Sequence, residues 1–129
     1  GQTAADSGAY AVTMIAVENV FGNIIAHSAP TRALAVLSIN GHLKATITCE
    51  QELQFMQVSE SGMVLISGGN AGLLTFRNTQ DLTCIRTIDL SRHGAIRCMV
   101  VAPEQQDIIL ATGDGALHVV TDPEKRADT

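Results

Sequence analysis

Apolar residues along this chain fall in short runs separated by polar and small residues that favour tight turns. The runs are Ala11–Val17, Asn23–Ser28, Ala33–Ile39, His42–Thr48, Leu53–Val58, Met63–Ser67, Gly72–Phe76, Leu82–Ile88, Ala95–Val101, Asp107–Thr112 and Ala116–Thr121. Each is about five or six residues long, the usual length of a strand. They are rich in Val, Ile and Thr and too short for stable helices. No stretch of ten or more residues keeps a 3.6-residue period, so the pattern predicts an all-β chain.

The punctuation agrees. Asn40-Gly41 separates LAVLSI from HLKATI, and Asp114-Gly115 separates DIILAT from ALHVVT. Both pairs are hairpin signals, and a two-residue turn of this kind needs positive φ at both positions. Ser61-Gly62, Gly68-Gly69-Asn70 and Pro103-Glu104 mark further turns. The small polar opening, residues 1–10, predicts a loose tail, and the charged DPEKRADT end predicts a polar tail over 123–129 behind the strand-stopping Pro123.

A repeat runs through these strands. Met14, Met56 and Met99 each sit in the first apolar run of a unit, 42 and then 43 residues apart. A polar turn, a second run, a small-residue turn and a third run follow each methionine. The first two units add a fourth run, HLKATIT and LTCIRTI. Four short strands every ~40–45 residues is the period of a propeller blade. A four-stranded sheet cannot bury both faces alone, so blades stack around an axis and cover one another. The expected units are 11–48, 53–88 and 95–121, together a propeller segment over 11–122 whose last blade lacks its fourth strand. A β-sandwich is the architectural rival, and it does not require the regular period.

The residues at the last unit carry a resemblance. SRHGAIRCMVVAP resembles the opening of a WD40 repeat, with a His in the loop before the innermost strand, and ILATGDGALHVV resembles its second and third strands. In that family the loop His, the turn Asp and a hydroxyl on the second strand share hydrogen bonds. The resemblance transfers this network to His93, Asp114 and Thr112. The Trp-Asp pair that names the family is missing, since the third strands end in Leu37-Ser38, Phe76-Arg77 and Val119-Val120-Thr121. In the middle unit Asn70 replaces the turn Asp and no His precedes Leu53.

A second resemblance spans roughly residues 20–121. LAVLSINGHLKATI, the glycine turn, LTFRNTQDLTCIRTIDL and HGAIRCMVV are similar to the C-terminal WD40 region of BEACH-domain (neurobeachin/LRBA-like) proteins. It implies a protein-interaction scaffold in vesicle trafficking and membrane-protein sorting, cytoplasmic and peripheral to endomembranes. The implied partners are other proteins, the remaining blades and an adjacent BEACH domain. The alternatives are a WD40 scaffold of another cytosolic or nuclear assembly, such as a ubiquitin-ligase adaptor, and, more remotely, an enzymatic propeller.

Composition narrows the chemistry. A net charge of -5 with eight scattered Lys and Arg argues against nucleic acid as a ligand. No apolar run approaches the ~18 residues of a membrane span, so no direct membrane insertion is expected. The polar opening segment also lacks the basic flank of a secretory leader, and its first residue, Gly1, suggests a processed chain or a fragment. Aromatic residues make up only 3%, which is lean for a recognition surface. Cys49, Cys84 and Cys98 have no metal-ligand spacing and are expected to be reduced, buried small hydrophobes. His27, His42, His93 and His118 show no HxxxH pattern, so no metal and no cofactor are expected. Ser91, His93 and Asp114 could be written as a nucleophilic triad, but no strand–turn–helix elbow presents a serine. Gly68–Gly72 lacks the Lys and helix of a phosphate loop. The expected role is non-enzymatic. Three blades cannot close a ring, so the isolated chain is expected to be either marginal in stability or oligomeric through its uncovered sheets.

Overall fold

The computed structural model describes residues 11–102 and 107–121. The predicted tails, Asp122 and the Pro103-Glu104 turn lie outside the described residues. Among the described residues eleven strands form three separate antiparallel sheets. The first holds β1 (Met14–Val17), β2 (Ile24–Ser28), β3 (Ala33–Leu37) and β4 (Leu43–Thr48), hydrogen-bonded in chain order. The second holds β5 (Leu53–Val58), β6 (Val64–Gly69), β7 (Leu73–Asn78) and β8 (Cys84–Asp89), also in chain order. The third has three strands, β9 (Ile96–Val101), β10 (Asp107–Thr112) and β11 (Leu117–Thr121), and leaves β11 at its edge. Two-residue alternation decides which side chains face a neighbour. One 3-10 turn, Ser91–His93, precedes β9.

The sheets pack face to face around two cores. Ile25, Leu34 and Val36 of the first sheet meet Leu53 and Leu65 of the second, with Cys49 and Leu82 closing that layer. Val64, Ile66, Leu74 and Phe76 of the second sheet meet Ile96, Ile108 and Leu110 of the third. The middle sheet is thus covered on both faces, and every residue of β6 is buried. Met14, Met56 and Met99 pack against these cores.

The turns differ in detail from the sequence expectation. Gly41 gives its N–H to the Ser38 carbonyl at 2.8 Å, so Ile39 and Asn40 form the corner. Of this pair, Gly41 alone has positive φ, at 87°. The connection holds one residue more than a two-residue turn, and the β3–β4 register shifts beside it. The Asp114 turn repeats the design. Gly115 donates to Thr112, its φ is 87°, and Gly113 and Asp114 form the corner.

Two further expectations are corrected. Gly68 and Gly69 lie in β6 rather than in a turn, which moves the turn to the Asn70–Gly72 side. A Cβ at Gly69 would overlap the Glu52 carbonyl oxygen, so close approach, not turn geometry, requires glycine there, whereas one at Gly68 would meet the movable end of the Ile96 side chain. Of the cysteines, Cys49 is buried, but Cys84 and Cys98 are exposed. Cys84 lies on the outermost strand of its sheet, and Cys98 on a face that no further sheet covers.

Candidate functional site: turn clamps and open sheet faces

The loop before each innermost strand reaches the turn between the second and third strands of its own sheet. At the third sheet, backbone bonds Gly113 to Ala95 (2.9 Å) and Asp114 to His93 (3.0 Å) join loop and turn. The three residues singled out from the sequence meet here. His93 Nδ1 lies 2.7 Å from Asp114 Oδ2, and the Thr112 hydroxyl donates to Asp114 Oδ1 at 2.8 Å. The Ala116 N–H donates to that same oxygen at 3.0 Å.

His118 also joins, and the sequence reading had not placed it. Its Nε2 lies 3.1 Å from Thr112 Oγ1, and its ring meets His93 edge to face at 4.7 Å. The Thr112 hydroxyl has one proton, and Asp114 takes it. His118 Nε2 must therefore carry the proton toward Thr112. Donation runs from His118 to Thr112 to Asp114, with His93 donating to Asp114 from the other side. His118 stands two residues before Val120 and shares its inward face, so a polar residue at an inward position was the available signal.

This arrangement suits holding a turn and not reacting. The His93 bond, followed by the Ala116 N–H and the Thr112 hydroxyl, lowers the Asp114 carboxyl to about 2, a poor base. Ser91 gives its backbone N–H to Asp89 at 2.9 Å, and no bond links its hydroxyl to His93 among the described residues.

The middle sheet makes the same clamp with other chemistry. Gln51 is buried, its Nε2 donating to the Leu73 carbonyl at 2.7 Å. Its Oε1 accepts from the N–H groups of Ala71 (3.0 Å) and Leu73 (3.3 Å). Asn70 adds a side-chain bond from the Glu52 N–H at 3.2 Å. In the first sheet Thr13 does the corresponding work, bonding the His27 carbonyl and the Ala29 N–H.

His27 links two sheets. It is fully buried, its Nε2 accepts the Leu53 N–H at 3.1 Å, and its Nδ1 lies 2.9 Å from the Ala33 carbonyl. Since Leu53 can only donate, Nε2 is unprotonated and Nδ1 carries the hydrogen. Burial pushes the His27 pKa down, against the opposing effects of the Ala33 bond and the Glu52 charge. At the opposite end, Glu18, Asn23, Lys44 and Gln80 form a second polar link between the first and second sheets. Burial opposes ionisation of Glu18, but bonds from Phe21, Gln80 and Asn23 outweigh it and hold the carboxyl below its ordinary range.

His42 is exposed beside its turn, as expected of a flanking residue. Among the described residues no group of three or more His, Cys, Asp and Glu side chains gathers as a donor set. No helix among them is long and apolar enough to cross a membrane.

The two faces that end the stack carry several of the exposed large hydrophobic side chains. Ile15, Val17, Leu37 and Leu43 share the outer face of the first sheet by register. A groove of about 300 Å³ there is lined by Val12, Ala26, Ala35, Leu37 and Leu43, among others. The buried Ser28 hydroxyl beside it has no partner among the described residues. On the outer face of the third sheet Cys98, Val100, Ile109, Ala111, Leu117 and Val119 lie together. Leu117 and Val119 are 71% and 65% exposed, a level usual for Lys and not for strand Leu or Val.

Comparison with models of known families finds no match for this chain. Among solved structures it superposes on the RRP9 WD40 repeats and on U3-55K, each with a TM-score of 0.74 and 16% identity over 88% of this chain. The fold is that of a WD40-type β-propeller. The match covers 36% and 37% of those chains, so this chain spans just over a third of their length. What it adopts is part of a propeller, with two four-stranded blades and one of three strands among the described residues.

Proposed function

We propose that this chain is a stretch of WD40-type propeller that serves as a protein-protein interaction scaffold, without catalysis of its own, in a BEACH-type protein of vesicle traffic and membrane-protein sorting. The observation that carries the scaffold reading is the pair of apolar outer faces on either side of a fully covered middle sheet. A stack built this way is made to continue into further blades, which leaves turns and rims as the surfaces for partners. The BEACH assignment rests on the phrases LAVLSINGHLKATI and HGAIRCMVV, which lie on β3–β4 and β9 with its preceding loop. Under this reading His93, Asp114 and Thr112 keep the top turn of the last blade in shape, and an adjacent BEACH domain and other proteins are the partners.

The test is proximity labelling in cells with the intact propeller as bait. The expected result is enrichment of vesicle-traffic and membrane-sorting proteins over a bait of unrelated propeller. Recovery of ubiquitin-ligase subunits instead, with no trafficking proteins, would contradict the BEACH assignment and leave the scaffold reading standing.

A further inference from the structure

A cavity of about 130 Å³ opens at the rim between the first and second sheets, beside the Gln51 clamp and away from both outer faces and the clamp at the third sheet. Register explains its lining. Ser67, Thr75 and Thr87 form one row across β6, β7 and β8, and Arg77 pairs with Cys84 in the adjacent row. This face looks toward the first sheet, whose trailing loop contributes Cys49 and Glu50. The space is far above the ~10–15 Å³ that a single water needs.

The lining satisfies some of its own polar groups, since the Thr87 hydroxyl lies 3.3 Å from the Cys84 thiol, but it leaves others without partners. Ser67 and Thr75 are 1% and 7% exposed, yet neither hydroxyl hydrogen-bonds to any described residue. Among the described residues Ser28 alone has a sealed side-chain oxygen without a partner, so the Ser67 and Thr75 hydroxyls open onto the cavity. The half-buried Arg77 places one nitrogen on the Leu82 carbonyl at 2.9 Å. A guanidinium has five N–H donors, and no carboxylate forms an ion pair with this one among the described residues. The neighbouring Gln51 oxygen already accepts from the Ala71 and Leu73 N–H groups, so it cannot supply the missing acceptor. A second guanidinium stands close by, with Arg32 Nη1 at 3.4 Å from the Glu50 carbonyl. Burial raises the Cys49 pKa while Arg77 and Arg32 pull it down, which places that thiol in the field of both cations. The Glu50 carboxylate belongs to an exposed residue at the lining and limits the charge the site tolerates.

We propose that this rim cavity binds a small tetrahedral oxyanion of the phosphate or sulfate class. Arg77 supplies the charge-assisted bonds and the Ser67 and Thr75 hydroxyls supply the remaining donors. An unpaired guanidinium with convergent hydroxyl donors matches the oxygens of such an anion. Because the site lies on the rim, it stays accessible when both outer faces are covered. The anion comes either free from solution or as the head group of a phosphorylated side chain.

The three cysteines make the test specific. Cys49 and Cys84 line the cavity, whereas Cys98 lies on the outer face of the third sheet. Iodoacetamide labelling of each thiol is followed by peptide mass spectrometry with inorganic phosphate, sulfate or O-phosphoserine, against chloride of equal ionic strength and pH. At phosphate roughly ten times its dissociation constant, Cys84 labelling slows about tenfold while Cys98 is unchanged, following the occupancy factor 1 + [L]/Kd. Protection by O-phosphoserine equal to that by phosphate identifies a phosphorylated side chain as an acceptable source, and protection by inorganic anions alone identifies free anion. Arg77→Gln abolishes the effect. Ser67→Ala weakens it while Cys49 labelling stays slow, which shows that packing is retained. Cys84 and Cys98 responding alike, or no response beyond chloride, means that the cavity holds water only and overturns the proposal.

Discussion

The middle sheet and the two outer sheets are built from the same strand pattern, yet they meet different surroundings. On β6 the alternating positions Val64, Leu65 and Ile66 are all buried, because sheets lie on both sides. On β10 the alternation splits. Ile108 and Leu110 are buried, but Ile109 and Ala111 are only partly covered. Both strands read as continuous apolar runs. The difference teaches that apolarity on two faces reports what a strand is suited to meet, even where no sheet among the described residues covers it.

The sharpest way to break this comparison is to truncate one large side chain in each environment. Phe76→Ala in the middle sheet removes a fully buried ring from the second core and is expected to cost about 3–5 kcal/mol in urea unfolding. Val119→Ala on the open face is expected to stay within about 0.5 kcal/mol in dilute monomer. Equal losses would mean that the outer face is covered within the isolated chain.

The clamps sharpen it at a smaller scale. Gln51→Ala leaves the Ala71 and Leu73 backbone groups without their partner, and about 1–3 kcal/mol of stability should be lost with little dependence on salt. Asp114→Asn acts on exposed groups, so a smaller loss that shrinks further as salt rises is expected in the same unfolding series. A larger, salt-independent loss for Asp114→Asn would show that the two clamps do not differ as their burial implies.

Titration separates them again. The His27 pKa is depressed, so the unfolded chain binds this proton more tightly. Its contribution is complete above the ordinary histidine value of 6.5 and is lost as pH falls through the lower folded value. Thermal melts between pH 7.5 and 5 should decline, and His27→Gln should flatten that part of the profile. Asp114, lowered to about 2, keeps its contribution above the ordinary carboxylate value of 3.8 and loses it only as pH falls toward about 2. His27→Gln leaving the decline between pH 7.5 and 5 unchanged would contradict the inter-sheet role of its imidazole.

The legible part of this molecule is what local chemistry decides. Each apolar run became a strand, because alternation and glycine turns act within a few residues. Turn type was less legible, since Asn40-Gly41 and Asp114-Gly115 fit both a two-residue turn and the longer one that includes Ser38 or Thr112. His93, Asp114 and Thr112 lie close together because WD40-like spacing happens to be retained there. Gln51 escaped notice for a simple reason. It stands five residues before Met56, whereas His93 stands six before Met99, so a register built on the methionines does not align them. His27 was hidden differently, because its partner at Leu53 N–H belongs to the next sheet and only inter-sheet packing brings the two together. Cys84 and Cys98 read as core hydrophobes by residue type, and their exposure follows from a strand position and a missing neighbour that composition does not report.

Sedimentation velocity across a concentration series tests the central claim most directly, namely that both outer faces are sites for further sheets. The chain as given is expected to self-associate with rising concentration. Leu117→Glu combined with Val119→Lys and Ile15→Lys should hold it monomeric with an unchanged far-ultraviolet spectrum. A parent chain that stays monomeric throughout and melts cooperatively at low concentration would contradict the account.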